Sequence, residues 1–594
     1  MISLKNNHAY AILDDRAETG ADLQAAGVYF HDMRHVSRYE RRFEGLTLIH
    51  QEIGSAGVTQ FWSRFERHIQ VVLLRRDLKL GPAGLTDTLV IENSDTAART
   101  QIVHGALDAD FADIFVVRGH ARRAPLHPVE TLADGFAYRA QDGVVTTTRL
   151  TGTDPRGEVV VALAPGETVT LTTRVDFAST LPTAQSPTTP RWHPVEPQGL
   201  DLREAAVWRQ AATDIESLLL ETELGRTIAA GIPNFVVPFG RDSLITAWLL
   251  LDADPGLAAS VLRYLAARQG TRLDAYRDEE PGKIMHEHRE SELNRIGELP
   301  FATYYGAADS TPLFLKLLGD HLEKTGDVAL ARELEPNWRA ALGWIDTYRD
   351  ARGLINFRQR ADGSGLTIQS WKDSRDSMSY GTGELATGAL AVAEVQAYVV
   401  AAYRAAARLS EACGGRAEEA AELLAKADAL AARFDELFWM EAHDNYALGL
   451  DETGRQLDVD ASDSGHLLWC GIVPEARAKR LIARLFDDDM WSGYGLRTLS
   501  TKALRYRPLS YHNGSVWPHD TALFAAGLRR YGDAAGFAKV REALVALASR
   551  QPDTRLPELV GGYARDGAIP PLPYIESCRP QAWSAAAALY LLGS

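Results

Sequence analysis

Hydrophobic and polar positions change rhythm near residue 190. Before it, apolar residues come in short β-branched runs, Gln70 to Leu74, Thr86 to Glu92 and Val144 to Leu150, separated by Gly81-Pro82, Asn93-Ser94-Asp95 and Asp154-Pro155. In ETVTLTTRVDF from Glu167, residues Val169, Leu171, Thr173 and Val175 recur at every second position and share one face of a strand. A period of two broken by turn residues predicts an all-β domain, a sandwich, over residues 1–185.

From about residue 204 the apolar spacing becomes helical, with long Ala/Leu-rich amphipathic stretches at Glu204 to Ile228, Gly383 to Leu409, Ala417 to Phe438 and Asp520 to Tyr531. Roughly twelve such stretches are expected, many joined by turns such as Asp254-Pro255-Gly256 and Tyr531-Gly532-Asp533 that force antiparallel neighbours. Six helical hairpins closed into an (α/α)6 toroid over residues 204–594 account for this pattern, and strand signals nearly vanish there. Between the halves, Ser186 to Pro197 carries four prolines in twelve residues, so 186–203 reads as a linker. There is no strong internal repeat, and the alanine-rich Ala417 to Ala431 reads as a solvated amphipathic helix.

Composition narrows the partners. A hydrophobic fraction of 46% with 24% charged residues matches ordinary globular protein. The net charge of −16 repels nucleic-acid phosphates and anionic membrane surfaces, which favours a small neutral substrate over either. Cys413, Cys470 and Cys578 are odd in number and far apart, without zinc or disulfide spacing. With no apolar leader or membrane-length segment, a cytoplasmic protein is expected; the sequence is silent on oligomeric state.

Loops dense in Trp, Asp, His and Tyr stand out against the helical background as sites for chemistry. In GIPNFVVPFGRDSLIT from Gly231, Arg241 and Asp242 follow an apolar loop; they read as substrate-binding, with an N-cap as the structural alternative for Asp242. In GKIMHEHRESEL and PFATYYGAADSTP, residues Arg289, Glu292, Tyr304, Tyr305 and Asp309 read as polar walls of a sugar pocket. His286, Glu287 and His288 lack the i, i+4 spacing of a helical zinc site. QSWKDSRDSM offers Trp371 as a platform for a sugar face, with Lys372 and Asp373 beside it. Burial against an aromatic raises a carboxyl pKa, as a glycosidase acid requires; Asp376 competes with Asp373 for that role.

RPLSYHNGSVWPHD gathers Tyr511, His512, Asn513, Trp517, His519 and Asp520 ahead of a helix, and a Ser515-His519-Asp520 triad lacks a nucleophile-elbow sequence. In RLPELVGGY, Glu558 sits between a proline and paired glycines, where a carboxylate can be held rigidly beside a water. Asp373 and Glu558 lie 185 residues apart, close to half of the helical segment, which places them across the mouth of a six-hairpin toroid. Two carboxyls ~6.5–9.5 Å apart leave room for an attacking water and give inversion.

The strings FGRDSLIT, GKIMHEHRE, YYGAADSTPLF, WKDSRDSM, AVAEVQAY, SYHNGSVWPHD, RLPEL and RPQAW resemble, in order, those of the bacterial glycogen-debranching, amylo-α-1,6-glucosidase-like family. GVYFHDMRHVSRYERRFEG from Gly27 resembles the β-sandwich that precedes the catalytic domain there. The resemblance implies an (α/α)6 barrel with Asp373 as general acid and Glu558 as general base. Two positions depart from the family: Asn234 stands where an aromatic is usual and Arg375 where a glycine is usual. An arginine beside the acid suits a substrate with a carboxylate or other polar aglycone.

The expected activity is therefore an inverting, exo-acting α-glycosidase, an α-glucosidase on α-linked oligosaccharides or small glucosides, needing no metal or organic cofactor. Arg241, Asp242, Trp371, Lys372, His512, Trp517 and Gln581 are expected to bind the sugar, with His519 in the same loop. A phosphorylase or polysaccharide lyase on the same barrel, and a non-catalytic glycan-binding protein, are the competing classes.

Overall fold

The computed structural model describes the chain except residues 21, 22, 24, 124, 125, 182–191, 193, 359–364 and 594. Most of the proline-rich segment 186–197 lies outside the described residues. The chain divides into two compact units, Met1–Gln185 with Arg289–Ala302, and Ser186–His288 with Thr303–Ser594.

The first unit is a β-sandwich. Its strands are β1 (Ile2–Asn6), β2 (Ala9–Leu13), β3 (Gly27–Phe30), β4 (Met33–Val36), β5 (Arg38–Phe43), β6 (Thr47–Ile53), β7 (Gly57–Glu66), β8 (Ile69–Gly81), β9 (Gly84–Asn93), β10 (Arg99–Asp108), β11 (Glu130–Leu132), β12 (Gly135–Arg139), β13 (Val145–Gly152), β14 (Gly157–Leu163) and β15 (Thr168–Ser179). An eight-stranded antiparallel sheet in the order β11-β12-β13-β15-β9-β8-β7-β6 faces a four-stranded sheet, β1-β2-β3-β4, and a three-stranded one, β14-β10-β5. One core joins Leu4, Val28 and Tyr39 to Leu78, Tyr138 and Phe177, and another joins Phe43 and Val103 to Trp62, Leu74 and Ile91. Each inward residue recurs at every second position, as on the face of β15 that buries Thr173, Val175 and Phe177.

The second unit is an (α/α)6 barrel. Leaving out helices of six residues or fewer, its helices among the described residues are α1 (Leu202–Leu218), α2 (Gly240–Leu249), α3 (Pro255–Ala266), α4 (Ser310–Thr325), α5 (Glu335–Tyr348), α6 (Ala393–Ala412), α7 (Ala417–Phe438), α8 (Ser464–Cys470), α9 (Glu475–Leu485), α10 (Pro518–Arg530), α11 (Ala534–Ser549) and α12 (Ala582–Gly593). The even-numbered helices pack in succession and α12 returns to α2, closing an inner ring; the odd-numbered helices back it from outside. Sequence patterning follows position. Inner α6 is buried on almost every face, whereas outer α7 buries only the stripe Ala420, Leu423, Ala427, Leu430, Phe434 and Phe438.

Two helix expectations are corrected. The stretch from Glu204 does not run to Ile228: α1 starts after Asp201, whose side chain forms a capping box with Glu204, and stops at Leu218. Leu219–Thr222 and Gly225–Gly231 then form a hairpin, extended by Phe235–Pro238, because Gly225 turns the chain at a φ of 103°. Likewise Gly388 at a φ of 84° precedes a short strand, Ala389–Val392, so α6 begins ten residues later than Gly383. Strand signals did not vanish from this half; they shortened to pieces that order the loops.

Candidate active site

Segments that lead into five of the six inner helices converge on one cleft, lined by Phe235, Phe239, Arg241, Asp242, His286, Trp371, Asp373, Tyr511, His512, Trp517, Glu558 and Trp583. All of them belong to the barrel unit.

Arg241 and Asp242 occupy the first turn of α2. Gly240 lets that turn approach its neighbour: a Cβ there would stand 2.1 Å from the Met285 carbonyl, and its N–H donates to His286 O at 2.7 Å. The Arg241 guanidinium is buried and reaches two carboxylates, donating through Nη1 to Asp309 Oδ2 at 2.6 Å and through Nη2 to Asp373 Oδ2 at 3.3 Å. Asp309 thus holds Arg241 in place without lining the cleft.

The loop before α6 is anchored from below. Trp371 Nε1 donates to Asp463 Oδ1 at 2.9 Å, while Lys372 Nζ pairs with the same carboxylate and donates to Thr498 O at 2.6 Å. Both side chains are buried, so the loop turns its next residue, Asp373, to the cleft with 28% of its side chain exposed. Burial pushes the Asp373 carboxyl up to about 6, against the pull of Arg241. Asp376 is exposed, accepts from Asn513 Nδ2 at 3.0 Å and lies outside the lining.

Across the lining, Glu558 is 1% exposed and doubly held: Tyr511 Oη donates to Oε1 at 2.6 Å and the Cys578 N–H donates to Oε2 at 2.8 Å. Burial pushes its carboxyl up to about 7, opposed by those two donors and helped by the charge of Asp373. Asp242 is also pushed up to about 7, first by burial, with Arg241 pulling down and Asp373 and Glu558 pushing up. One guanidinium among three carboxyls is an arrangement for moving protons and binding hydroxyls.

Aromatic side chains form the floor. Trp371, Trp517, Leu559 and Trp583 cluster, with Tyr511 and Tyr574 against them. His512 stacks on Trp517 at 5.1 Å between ring centroids, and burial holds its imidazole neutral.

The structure brings together Arg241, Asp242, Trp371, Asp373, His512, Trp517 and Glu558 and corrects the other expected wall residues. Arg289 and Glu292 sit in the first unit, because Arg289–Ala302 packs with its strands. There Arg289 pairs with Asp32 at 2.9 Å, and Glu292 takes both Arg122 nitrogens, at 3.0 and 2.7 Å, and the Tyr138 hydroxyl at 2.7 Å. Tyr304 is fully buried, donating to Asp278 Oδ2 at 2.7 Å, and Tyr305 donates to Arg268 O at 2.9 Å. Lys372 is spent on Asp463. His519 stacks on Trp583 at 3.7 Å behind the floor, and Gln581 packs against Gly231.

The motif fragments that competed for attention come apart. His286 presents its ring to the cleft, whereas His288 Nδ1 meets Thr303 Oγ1 at 2.9 Å. Ser515 donates to Tyr511 O at 2.7 Å and Asp520 meets His466 Nε2 at 2.7 Å, so neither joins His519 in a triad. Phe235, Phe239, Tyr511 and Trp583 were absent from the expected binding set. Each lies within a few residues of a motif that was singled out, and aromatic type beside a polar motif was the available signal.

A family model described as the mannosylglycerate hydrolase MGH1-like glycoside hydrolase domain matches residues 241–562, from Arg241 to beyond Glu558. Another, the N-terminal domain of (some) glycogen debranching enzymes, matches residues 4–180. No curated protein matches the chain. Among solved structures, a GH63 mannosylglycerate hydrolase from Thermus thermophilus in complex with Tris is 17% identical over 65% of this chain and 99% of its own, with a TM-score of 0.49. A GH78 family rhamnosidase of Bacillus sp. GL1 is 16% identical over 86% of this chain and 46% of its own, with a TM-score of 0.50, a likeness of fold. With more than half of its length, all three cleft carboxyls included, matched by the first family model, the chain belongs to the mannosylglycerate hydrolase MGH1-like glycoside hydrolase family.

Proposed function

We propose that the protein is an inverting, exo-acting α-glycosidase in which Asp373 is the general acid and Glu558 the general base. The observation that carries this reading is a single aromatic-floored cleft lined by both carboxyls, each pushed toward neutrality by burial. Asp373 gives its proton to the glycosidic oxygen as the bond to the anomeric carbon breaks. Glu558 takes a proton from a water that attacks that carbon from the opposite face.

The hydrogen bonds favour this division of labour. Glu558 Oε2 faces a backbone N–H that can only donate, so that oxygen is an acceptor and suits a base. Asp373 makes a longer contact to Arg241 and is the more exposed of the two, which suits a group that meets the leaving oxygen. The buried Trp371, Trp517 and Trp583 floor supports a site for one terminal sugar.

Two residues beyond the acid, Arg375 is exposed and makes no ion pair among the described residues. Its place beside the acid favours a small glycoside with a carboxylate-bearing aglycone, the chemistry in the family's name, over an α-1,6 glycogen branch. The test is a panel of α-glucosides and α-mannosides with neutral or carboxylate aglycones, assayed for released sugar. We expect release from the carboxylate-bearing members, a loss of ~10²–10⁴-fold in kcat for D373N and for E558Q, and a KM rise confined to carboxylate aglycones for R375A. Turnover that survives E558Q and requires added phosphate would replace hydrolysis by phosphorolysis. Affinity without any release would leave a binding protein.

A further inference from the structure

The sandwich unit has an open cleft of its own. Its lining is Arg16, Glu18 and residues of β5, β6, β7 and β10, among them Arg38, Arg41, Arg42, Phe43, Leu48, Trp62 and His104, around a cavity of about 740 Å³. β5 ends the three-stranded sheet and β6 ends the eight-stranded one, so the cavity opens where the edges of the two sheets meet.

The charges there run against the rest of the molecule. In a chain of net charge −16, this lining holds four arginines and two glutamates. Some of that charge is already committed. Arg38 pairs with Glu40 at 2.9 Å, Arg41 is buried with Asp87 at 3.3 Å, and the Glu18 carboxylate accepts the Arg41 N–H at 2.8 Å. Arg16 and Arg42 are exposed, and neither guanidinium has an ion-pair or hydrogen-bond partner among the described residues. The same lining holds the half-buried Leu46 and Leu48 and the buried core residues Phe43 and Trp62, which meet edge-on at 5.2 Å. Spare guanidiniums in the same lining as partly exposed leucines match a ligand with an anionic group on a ring that has an apolar face. A cavity of this size holds one or two sugar rings.

We infer that this cleft is a second, non-catalytic binding site for an anionic mono- or disaccharide, its carboxylate or phosphate held by Arg16 and Arg42 and its ring laid against Leu46 and Leu48. Charge would come from a sugar acid or from a sugar phosphate, and the two are separated by experiment.

The test is isothermal titration of the full chain carrying D373N, with glucuronate, glucose 6-phosphate, glucose and inorganic phosphate as probes. The same titrations on D373N with R16A and R42A, two exposed positions whose loss leaves the cores intact, locate the site. Binding of glucuronate or glucose 6-phosphate, at least about tenfold weaker after R16A/R42A, with no such site for glucose, is the expected result. Whichever of the two anions binds more tightly identifies the source of the charge. R16A/R42A in the otherwise native chain is expected to hydrolyse the best substrate of the panel within about twofold of the parent rate. Affinity unchanged by R16A/R42A, no heat from either anion, or inorganic phosphate binding as tightly as the sugar phosphate would each overturn the inference.

Discussion

At the scale of single residues, the cleft is a problem of sharing protons. Glu558 is raised first by burial and further by the charge of Asp373, so it holds its proton more tightly once Asp373 is ionised. With Glu558 pushed to about 7 and Asp373 to about 6, the productive form, proton on Asp373 and Glu558 ionised, is the less populated of the two singly protonated forms, and kcat/KM should still follow a narrow bell that peaks between those values. Below it both carboxyls are protonated and the base is lost; above it both are ionised and the acid is lost. Initial rates from pH 4 to 9 check this, and a profile that stays flat from about pH 5 to about pH 8 would contradict it. Y511F removes the donor at 2.6 Å from Glu558 Oε1. That donor pulls the Glu558 value down, so the variant's corresponding limb should move to higher pH, with kcat down by ~10-fold.

Asp242 makes a stability prediction. Its folded value is raised from 3.8 to about 7, so the folded protein keeps a proton that the unfolded chain has released. Sign follows from that: stability is fully present below 3.8, declines as pH rises toward about 7 and is level above it. D242N cannot ionise and escapes the decline. Its melting midpoint should exceed the parent's by a few degrees at pH 8 and by less at pH 5, with lower activity at both. Equal midpoints at pH 8 would contradict the account.

At the scale of elements, Arg289–Ala302 shows what patterning cannot show. HRESEL lies among loops that build the cleft, and its Arg and Glu are residue types that bind sugars. Its partners, Asp32, Arg122 and Tyr138, lie more than 150 residues away in sequence, beyond the reach of local periodicity. Glu292 is a buried ion-pair member there, so E292A leaves Arg122 without its bidentate partner. Urea unfolding should show the first unit destabilised by about 3–5 kcal/mol, while KM of the folded enzyme stays unchanged. A raised KM with normal stability would restore the sugar-binding reading. Elements with strong local signals behaved otherwise: α7 spans Ala417–Phe438 as its stripe predicts, and Asp254 and Asp533 cap the helices that follow them. Misreadings fell at glycines such as Gly225 and Gly388, where a positive φ ends a pattern that composition alone would continue.

At the scale of the whole molecule, architecture was legible because each half repeats one rule, alternation in the sandwich and paired amphipathic helices in the barrel. The site was legible in part. A loop pairing Trp371 with charged residues marked Asp373, an apolar loop ending in a charged pair marked Arg241, and a glutamate between a proline and paired glycines marked Glu558. What could not be read was depth: Lys372, Tyr304 and His519 share those motifs yet lie beneath the cleft, holding its floor and walls. The part Tyr511 plays, donating to Glu558, and the place of Trp583 in the first turn of α12 against His519 came only from the fold.

The central claim is that Asp373 and Glu558 act on opposite faces of one sugar. Proton NMR of the anomeric signals during the first minutes of hydrolysis of an α-linked substrate tests it directly. The account predicts the β-anomer appearing first and relaxing to the mutarotation equilibrium, with no product formed by D373N or E558Q on the same timescale. An α-anomer appearing first would contradict it.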